Sequence, residues 1–283
     1  DRYAFIIADL TEAENILPEA YAVTTDYPTA RIRANKWAAA SLLARVYLYT
    51  KDYTKAAEKA AAVIGSGMYS LETDLNNVFL TSSNEAVLQF MAGDFYNTTE
   101  GLYFNQAFDF VEPSFLIHPD LLSSFPADDK RLASWTKTVS VNSASYTFPF
   151  KYKIRIGSAP FQEYNMVIRL AELYLIKAEA LALKNDIEAS ATELKVVRER
   201  AGLTQFPADI SQQDLLDSIA VERRREFFGE WGHRWLDLKR TGKVNDVLLP
   251  LKSATWNMND TLYPIPFYEI QTNFNLVQNQ GYQ

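Results

Sequence analysis

The sequence predicts a mainly α-helical fold in which tetratricopeptide-like helix pairs carry a large irregular, partly β excursion. Two segments, 33–64 and 169–203, each place apolar residues at helical spacing on both sides of a short polar break. Between them, residues 93–165 contain short alternating runs with scattered Pro, Gly, Asn and Ser, which indicate strands and loops. We expect a single domain over residues 1–283.

The two predicted helix pairs resemble each other along their length. In RANKWAAASLLARVYLYTKDYTKAAEKAAAVI (33–64) the break falls at Lys51, and in RLAELYLIKAEALALKNDIEASATELKVVRERAGL (169–203) it falls at Asn185. Helix pairs of about 34 residues with small residues on their facing sides are typical of tetratricopeptide units. Because the pairs lie far apart in the chain, we expect them not to form a continuous solenoid, and other material to stack with them.

The aromatic-rich segment 93–165 is the predicted variable region. Its run SYTFPFKYKIRI (145–156) alternates in a way that favours a strand or hairpin, and HPDLLSSFPADDKR (118–131) predicts a short helix and a polar turn. Binding residues are concentrated on loops that a rigid scaffold carries. We therefore expect this segment to contain the ligand-binding residues.

The C-terminal part, 211–283, is predicted to hold one signature helix and an extended tail. Ser211 can cap a helix that continues through ERRREFFGEWGHRWLDLKR, and on such a helix Trp231 and Trp235 share a face. Within this stretch acids and bases stand three or four residues apart, as Glu222 and Arg225 do. This compensation favours a structural network, with guanidinium groups that bridge helix ends and stack on Trp, over an unpaired basic patch.

Composition argues against several classes of function. A net charge of −7 and a pI near 5.0 argue against nonspecific binding of nucleic acid. There is no Cys, and His118 and His233 alone leave little material for a metal or nucleophilic site, so no cofactor and no metal are predicted. Asp128 and Asp129 could be a glycosidase pair, but adjacent side chains on a turn diverge, and we predict no enzymatic activity.

Segment 222–242 closely resembles the signature of the SusD/RagB outer-membrane lipoproteins of Bacteroidetes, approximately E-R-x-x-E-x-x-x-E-x-x-R-W-x-D-L-K-R. The matching residues are Glu222, Arg223, Glu226, Glu230, Arg234, Trp235, Asp237, Leu238, Lys239 and Arg240. The tail YPIPFYEIQTNFNLVQNQGY (263–282) resembles the closing pattern of the family, with Phe274 and Gln280 in place of two prolines. Since family members are usually longer at the start, we expect this chain to be a C-terminal portion.

This resemblance implies a binding function without chemistry. SusD-like proteins capture an oligosaccharide, or in some branches a peptide, at the cell surface and deliver it to a SusC-type TonB-dependent transporter. A purely structural subunit of the transporter complex is the remaining alternative. The resemblance also implies an outer-membrane protein that is lipid-anchored through an N-terminal Cys outside this chain.

Sugar binding needs flat ring faces beside polar groups that bond to hydroxyls. The aromatic and amide residues with the most polar neighbours are our candidates for ligand binding: Tyr96, Asn97, Tyr103, Asn105, Trp135 and Trp256. We expect Phe104, Phe108 and Phe110 to pack in the core instead. The sequence leaves the monosaccharide, the linkage and the choice between glycan and peptide open.

Overall fold

A computed structural model describes residues 2–23, 31–91, 97–157, 161–207 and 209–282 of the protein. The fold is mainly α-helical with a small β part, as the sequence predicts. Its contacts divide the chain into two compact units, Asp1–Trp231 and Gly232–Gln283, where the sequence predicts one domain. No helix in the described ranges is long and apolar enough to cross a membrane.

The first unit contains both predicted helix pairs and the excursion between them. In chain order its elements are α1 (Arg2–Ile16), α2 (Lys36–Tyr49), α3 (Tyr53–Gly65), β1 (Ala86–Phe90), α4 (Thr99–Phe104), α5 (Pro119–Leu122), α6 (Lys130–Trp135), β2 (Thr136–Val141), β3 (Ala144–Pro149), β4 (Asn165–Arg169), α7 (Leu170–Leu183), α8 (Ile187–Arg200) and α9 (Gln212–Glu226).

Helices α1, α2, α3, α7, α8 and α9 pack side by side in one stack. The two helix pairs are neighbours within it, because α3 packs directly against α7, and Ala60 and Ala180 belong to the same core cluster. This corrects the expectation that the pairs do not form a continuous solenoid. The excursion can leave and re-enter the stack at adjoining positions, because β1 and β4 at its two ends pair antiparallel.

The turns inside the two pairs have the same backbone geometry, which explains why their sequences are similar. Lys51 and Asn185 both take left-handed φ values, 65° and 63°. In each pair the next residue, Asp52 or Asp186, accepts a hydrogen bond from the backbone N–H three residues further on. The left-handed residue reverses the chain and the Asp caps the second helix, so each pair closes tightly.

The excursion packs around a second core, which it shares with residues on either side of it in the chain, and it carries a β-hairpin. We call this core the excursion core, and its buried side chains include Leu75, Val78, Phe79, Ile117, Phe125, Trp135, Tyr152, Met166 and Phe228. Strands β2 and β3 pair antiparallel around a two-residue turn with positive φ at both positions. The predicted hairpin is therefore present, although it begins earlier than 145–156, and α5 supplies the predicted short helix.

The predicted signature helix is interrupted. Ser211 caps α9 as expected, but α9 ends at Glu226, and Gly229 and Trp231 then take φ values of 70° and 40°. Positive φ lies outside the right-handed helical region. Trp231 therefore does not share a helical face with Trp235, and this part of the prediction was wrong.

The second unit consists of short helices and the tail. They are α10 (His233–Arg240), α11 (Val244–Leu251) and α12 (Phe267–Thr272). Within this unit the side chain of Gln278 bonds to both the backbone N–H and the carbonyl of Ile265, at 2.8 and 2.9 Å. These bonds join two parts of the tail to each other, and apart from α12 the described part of the tail contains no helix.

Candidate functional site

Nine charged side chains of the first unit meet in a buried ionic cluster. The members of this ionic cluster are Glu85, Asp129, Arg131, Lys151, Arg169, Arg200, Glu222, Glu226 and Glu230. Their side chains are at most 4% exposed. Because a buried charge is costly unless it is paired, each member depends on the others for its place in the fold.

Glu226 lies at the centre of the ionic cluster. Its carboxylate accepts hydrogen bonds from Arg131 at 2.9 Å and from Arg169 and Arg200. Burial opposes its ionisation, but the three guanidinium groups outweigh burial and hold the pKa of Glu226 well below the usual value. The carboxylate therefore ties the end of α9 to α6, α8 and the end of β4.

Lys151 joins the ionic cluster to the aromatic core of the excursion. Its Nζ donates to Glu230 Oε1 at 2.6 Å and stands 4.5 Å from the centre of the Trp135 ring. Burial lowers the pKa of Lys151 to about 8, against the opposing effect of Glu230. Arg169 and Arg200 also stand over the Trp135 ring, at 5.7 and 5.6 Å.

The predicted structural network is thus present, but its partners come from distant parts of the chain. Glu222 stands 2.7 Å from Arg131 and 4.0 Å from its local neighbour Arg225. The three- and four-residue spacing within the motif correctly indicated that its charged residues form a structural network. It could not identify their partners, because those partners lie on other elements.

The structure corrects the expectation for Trp135. Its side chain is fully buried in the excursion core, and its Nε1 donates to the carbonyl of Leu75 at 3.0 Å. No face of this ring is open to a ligand, so Trp135 is not a ligand-binding residue. Its polar neighbours in the sequence reflect the end of the short helix α6 and not an open site.

The two candidate asparagines bond within the fold. Asn97 is buried, and its Oδ1 accepts from the backbone N–H groups of Gln162 and Glu163 at 2.8 and 3.1 Å. Asn105 is half-buried, and its Nδ2 donates to the carbonyl of Tyr152 at 3.1 Å. Both side chains pin the excursion together, and we do not retain them as ligand contacts.

The remaining candidates, Tyr103, Trp256 and Tyr96, differ in exposure and in how far the structure describes them. Tyr103, on α4, has 59% of its surface exposed. Trp256 lies in the second unit, half-buried, with its Nε1 donating to Asn245 Oδ1 at 2.9 Å and its ring edge to face with Trp235 at 6.1 Å. Tyr96 lies outside the described residues. As ligand contacts, Tyr96, Tyr103 and Trp256 all stay predictions.

The sequence reasoning missed an exposed aromatic surface that follows Tyr103. Phe108 and Phe110, expected in the core, are 62% and 76% exposed, and their rings stack 5.4 Å apart at an angle of 8°. Phe115 is also exposed and meets the half-buried Phe104 edge to face at 5.7 Å. We call Tyr103, Phe108, Phe110 and Phe115 the aromatic segment. For the three phenylalanines, only the density of rings in 93–165 pointed to this surface.

The chain is similar to known proteins along nearly its whole length. The SusD family model matches residues 132–282. SusD-like protein P2 of Formosa agariphila is 28% identical over 99% of this chain, and starch-binding protein SusD of Bacteroides thetaiotaomicron is 36% identical over 41% of it and 21% of its own length. Among solved structures, surface glycan-binding protein A of Bacteroides uniformis superposes with a TM-score of 0.77, at 22% identity, over 98% of this chain and 68% of that one.

These matches agree with the architecture described above. The chain spans 65% of the length of SusD-like protein P2, so a substantial part of that relative has no counterpart here. The match to the family model covers more than half of the chain, from within α6 to the tail. With its stacked helix pairs, and with Glu222, Glu226 and Glu230 of its signature motif in the ionic cluster, the chain belongs to the SusD family.

Proposed function

We propose that the protein binds oligosaccharides through the aromatic segment and catalyses no reaction on them. The observation that supports this is the exposure of aromatic rings on an excursion that a rigid helical stack carries. The names of two relatives, a starch-binding protein and a surface glycan-binding protein, point to the same class of ligand. Membership in a family of binding proteins supports the absence of catalysis.

The aromatic segment suits a sugar because its rings are flat, apolar and close to polar groups. A pyranose ring presents C–H groups that pack on an aromatic face, and its hydroxyls need hydrogen-bonding partners at the rim. Gln106 and Glu112 supply such groups, since they lie between the rings in the sequence and are held by bonds to Val111 and Tyr146, at 2.6 and 2.7 Å.

We further propose the role that the family suggests for the whole protein. The bound oligosaccharide is delivered to a SusC-type TonB-dependent transporter in the outer membrane, where a lipid anchor outside this chain holds the protein at the cell surface. A peptide is the alternative ligand, and the stacked Phe108 and Phe110 are compatible with it, because phenylalanine rings accept apolar side chains as readily as sugar faces. A purely structural subunit of the transporter complex would bind neither.

The test is calorimetric titration of the purified protein with maltoheptaose, xylohexaose, laminarihexaose and mannohexaose. We expect saturable binding of at least one of these, weakened in Tyr103→Ala and in the double variant Phe108→Ala/Phe110→Ala. Phe274→Ala, which removes a 93% exposed ring of the second unit, is the matched control. Trp256→Ala tests the remaining described candidate in the same way.

Two results would contradict the proposal. If the folded protein binds none of these sugars but binds apolar peptides, the ligand class is wrong. If sugar binding is unchanged in the Tyr103 and Phe108/Phe110 variants, the aromatic segment is not the site. Product analysis after long incubation checks the absence of catalysis, because released shorter sugars would show turnover.

A further inference from the structure

We propose that Phe90, Trp231, Asn165 and Glu100 form a second sugar-binding surface of the first unit, which holds a single pyranose ring. We call these four residues the platform. The inference rests on the proposed function, because it assigns another contact to the same class of ligand. None of the four belongs to the aromatic segment or to the residues singled out from the sequence as ligand contacts.

The platform is built on an exposed pair of aromatic rings. Phe90, the last residue of β1, is 51% exposed, and Trp231, in the turn that follows α9, is 47% exposed. Their rings meet edge to face, with centroids 5.9 Å apart and an angle of 85°. In this arrangement the edge of one ring packs on the other, while roughly half of each ring stays open to solvent.

A polar pair lies beside the rings. Asn165 is the partner of Phe90 in the register of β1 and β4, and its Nδ2 donates to Glu100 Oε2. Both polar side chains are half-buried. An amide and a carboxylate next to an aromatic face are the groups that hydrogen-bond sugar hydroxyls, since together they offer a donor and several acceptors.

Trp231 is held in place by its own backbone and by the ionic cluster. Its Nε1 donates to the carbonyl of Met166 at 2.6 Å, which fixes the ring against β4. The preceding residue, Glu230, is buried and bonded to Lys151 and Arg169. The ring is therefore oriented before any ligand arrives, and binding loses little side-chain entropy.

The backbone at Trp231 supports a functional reading. Its φ of 40° is unfavourable for a residue with a bulky side chain, while Gly229 and Gly232 on either side take positive φ without strain. Backbone strain of this kind is concentrated at functional sites. An exposed tryptophan held in such a conformation contributes little to the core, so packing alone does not account for it.

The size of the platform favours a sugar over a protein partner. Two half-exposed rings and one polar pair match the face and rim of one pyranose. A stable protein interface needs about 800 Å² on each partner, with several buried anchors. A pyranose unit of an oligosaccharide is therefore the occupant to which we commit, and binding of a protein instead is an outcome that the test can reveal.

The first test is hydroxyl-radical footprinting of the whole chain, read by mass spectrometry, with each of the four oligosaccharides named above. We expect a bound sugar to lower the oxidation of Trp231, Phe90 and the adjacent, exposed Met91 at least about threefold. Sugar at about ten times its dissociation constant would exceed this factor if the bound residues were fully shielded. Oxidation of Phe274 and Met258, which are exposed in the second unit, should not change. No substitution is needed, so the result does not depend on a variant that folds.

The second test is the affinity of platform variants. We expect Trp231→Ala to weaken sugar binding about tenfold, as the loss of one stacked ring allows. Phe90→Ala, at a strand end, should weaken it to a smaller extent. Trp231→Phe keeps a ring and should retain most of the affinity, which a purely structural role of the Nε1 hydrogen bond would not explain.

The possible outcomes separate this inference from the proposed function. If a sugar binds and protects the aromatic segment, but Trp231 and Phe90 are oxidised as before and their variants bind like the parent, the platform is overturned and the proposed function stands. If the parent binds no sugar, both are overturned. Protection of Trp231 by a protein partner alone would likewise overturn the assignment of a sugar.

Discussion

Arg169 and Glu230 form a bidentate ion pair: Arg169 Nε donates to Glu230 Oε2 at 3.0 Å, and Arg169 Nη2 donates to Glu230 Oε1 at 2.9 Å. This fork geometry joins the end of β4 to the turn after α9, although the two residues are far apart in the chain. Both side chains are buried, so water cannot take the place of either partner in these hydrogen bonds. The pair fixes the position from which the exposed ring of Trp231 projects.

Arg169→Met should destabilise the first unit strongly. The substitution keeps the bulk of the side chain but removes the donors of Glu226 and Glu230, which leaves buried carboxylates with fewer cations. Loss of one partner of a buried pair costs about 3–5 kcal/mol. Urea unfolding followed by circular dichroism measures the change in the free energy of unfolding, and a loss below about 1 kcal/mol would refute the role assigned to this pair.

The control for this prediction is an exposed ion pair. Lys243 and Asp246 stand 3.3 Å apart with side chains that are more than half exposed. Lys243→Met should leave the unfolding curve almost unchanged, because solvent screens surface pairs. Arg169→Lys is the informative intermediate, since an ammonium group cannot reproduce the fork and should recover only part of the loss.

Glu226→Gln should make the protein less sensitive to acid. In the native state Arg200, Arg169 and Arg131 hold the pKa of Glu226 well below that of the unfolded chain, despite the burial that opposes ionisation. The stability from this depressed pKa is present above the unfolded value, about 4.3, and is lost as the pH falls through the native value. Gln cannot titrate, so this loss is absent in the variant.

The measurement is the free energy of unfolding from pH 3 to pH 7. We expect the variant to be less stable than the parent at pH 7, with a smaller slope below about pH 4.3. Glu230, whose pKa is also lowered against the effect of burial, keeps some slope in both proteins. Glu85, whose pKa is raised chiefly by burial, contributes the opposite sign. Parallel curves for parent and variant would contradict the assignment to Glu226.

The helical frame could be predicted because its signals are local. The small residues of α2 and α3 and the breaks at Lys51 and Asn185 are properties of short segments. The direct packing of α3 on α7 could not be predicted, because it depends on β1 and β4 pairing across the excursion. The break before α10 was missed for a similar reason: Glu230 is drawn into the ionic cluster by residues that lie on other elements.

The site was less predictable than the fold. Polar neighbours suggested an open Trp135, but α6 is a six-residue helix, too short for its sequence to show which face is buried. Phe108 and Phe110 lie in an irregular segment, where no periodicity separates exposed rings from core rings. Tyr103, by contrast, is exposed as its polar surroundings suggested.

The contrast between Trp135 and Tyr103 gives a prediction with opposite outcomes. Trp135→Ala should cost about 3–5 kcal/mol of stability, because it empties the centre of the excursion core and removes the ring beneath Lys151. Tyr103→Ala should change stability little and weaken sugar binding. Thermal unfolding and calorimetric titration of both variants measure the two effects, and a stable Trp135→Ala protein that no longer binds sugar would reverse our assignment.

Ser143→Gly should stabilise the hairpin of β2 and β3. Asn142 and Ser143 form its turn with φ values of 51° and 65°, a conformation that suits Asn but strains Ser. Removing the strain of one left-handed residue raises the free energy of unfolding by about 1 kcal/mol. The midpoint of thermal unfolding should therefore rise. Ser145→Gly is the matched control, because Ser145 pairs with Ser140 inside the strands, where glycine lowers stability by about 0.5–1 kcal/mol. Equal effects of the two substitutions would show that the turn conformation does not limit stability, whereas opposite signs would trace the gain to the positive φ at Ser143.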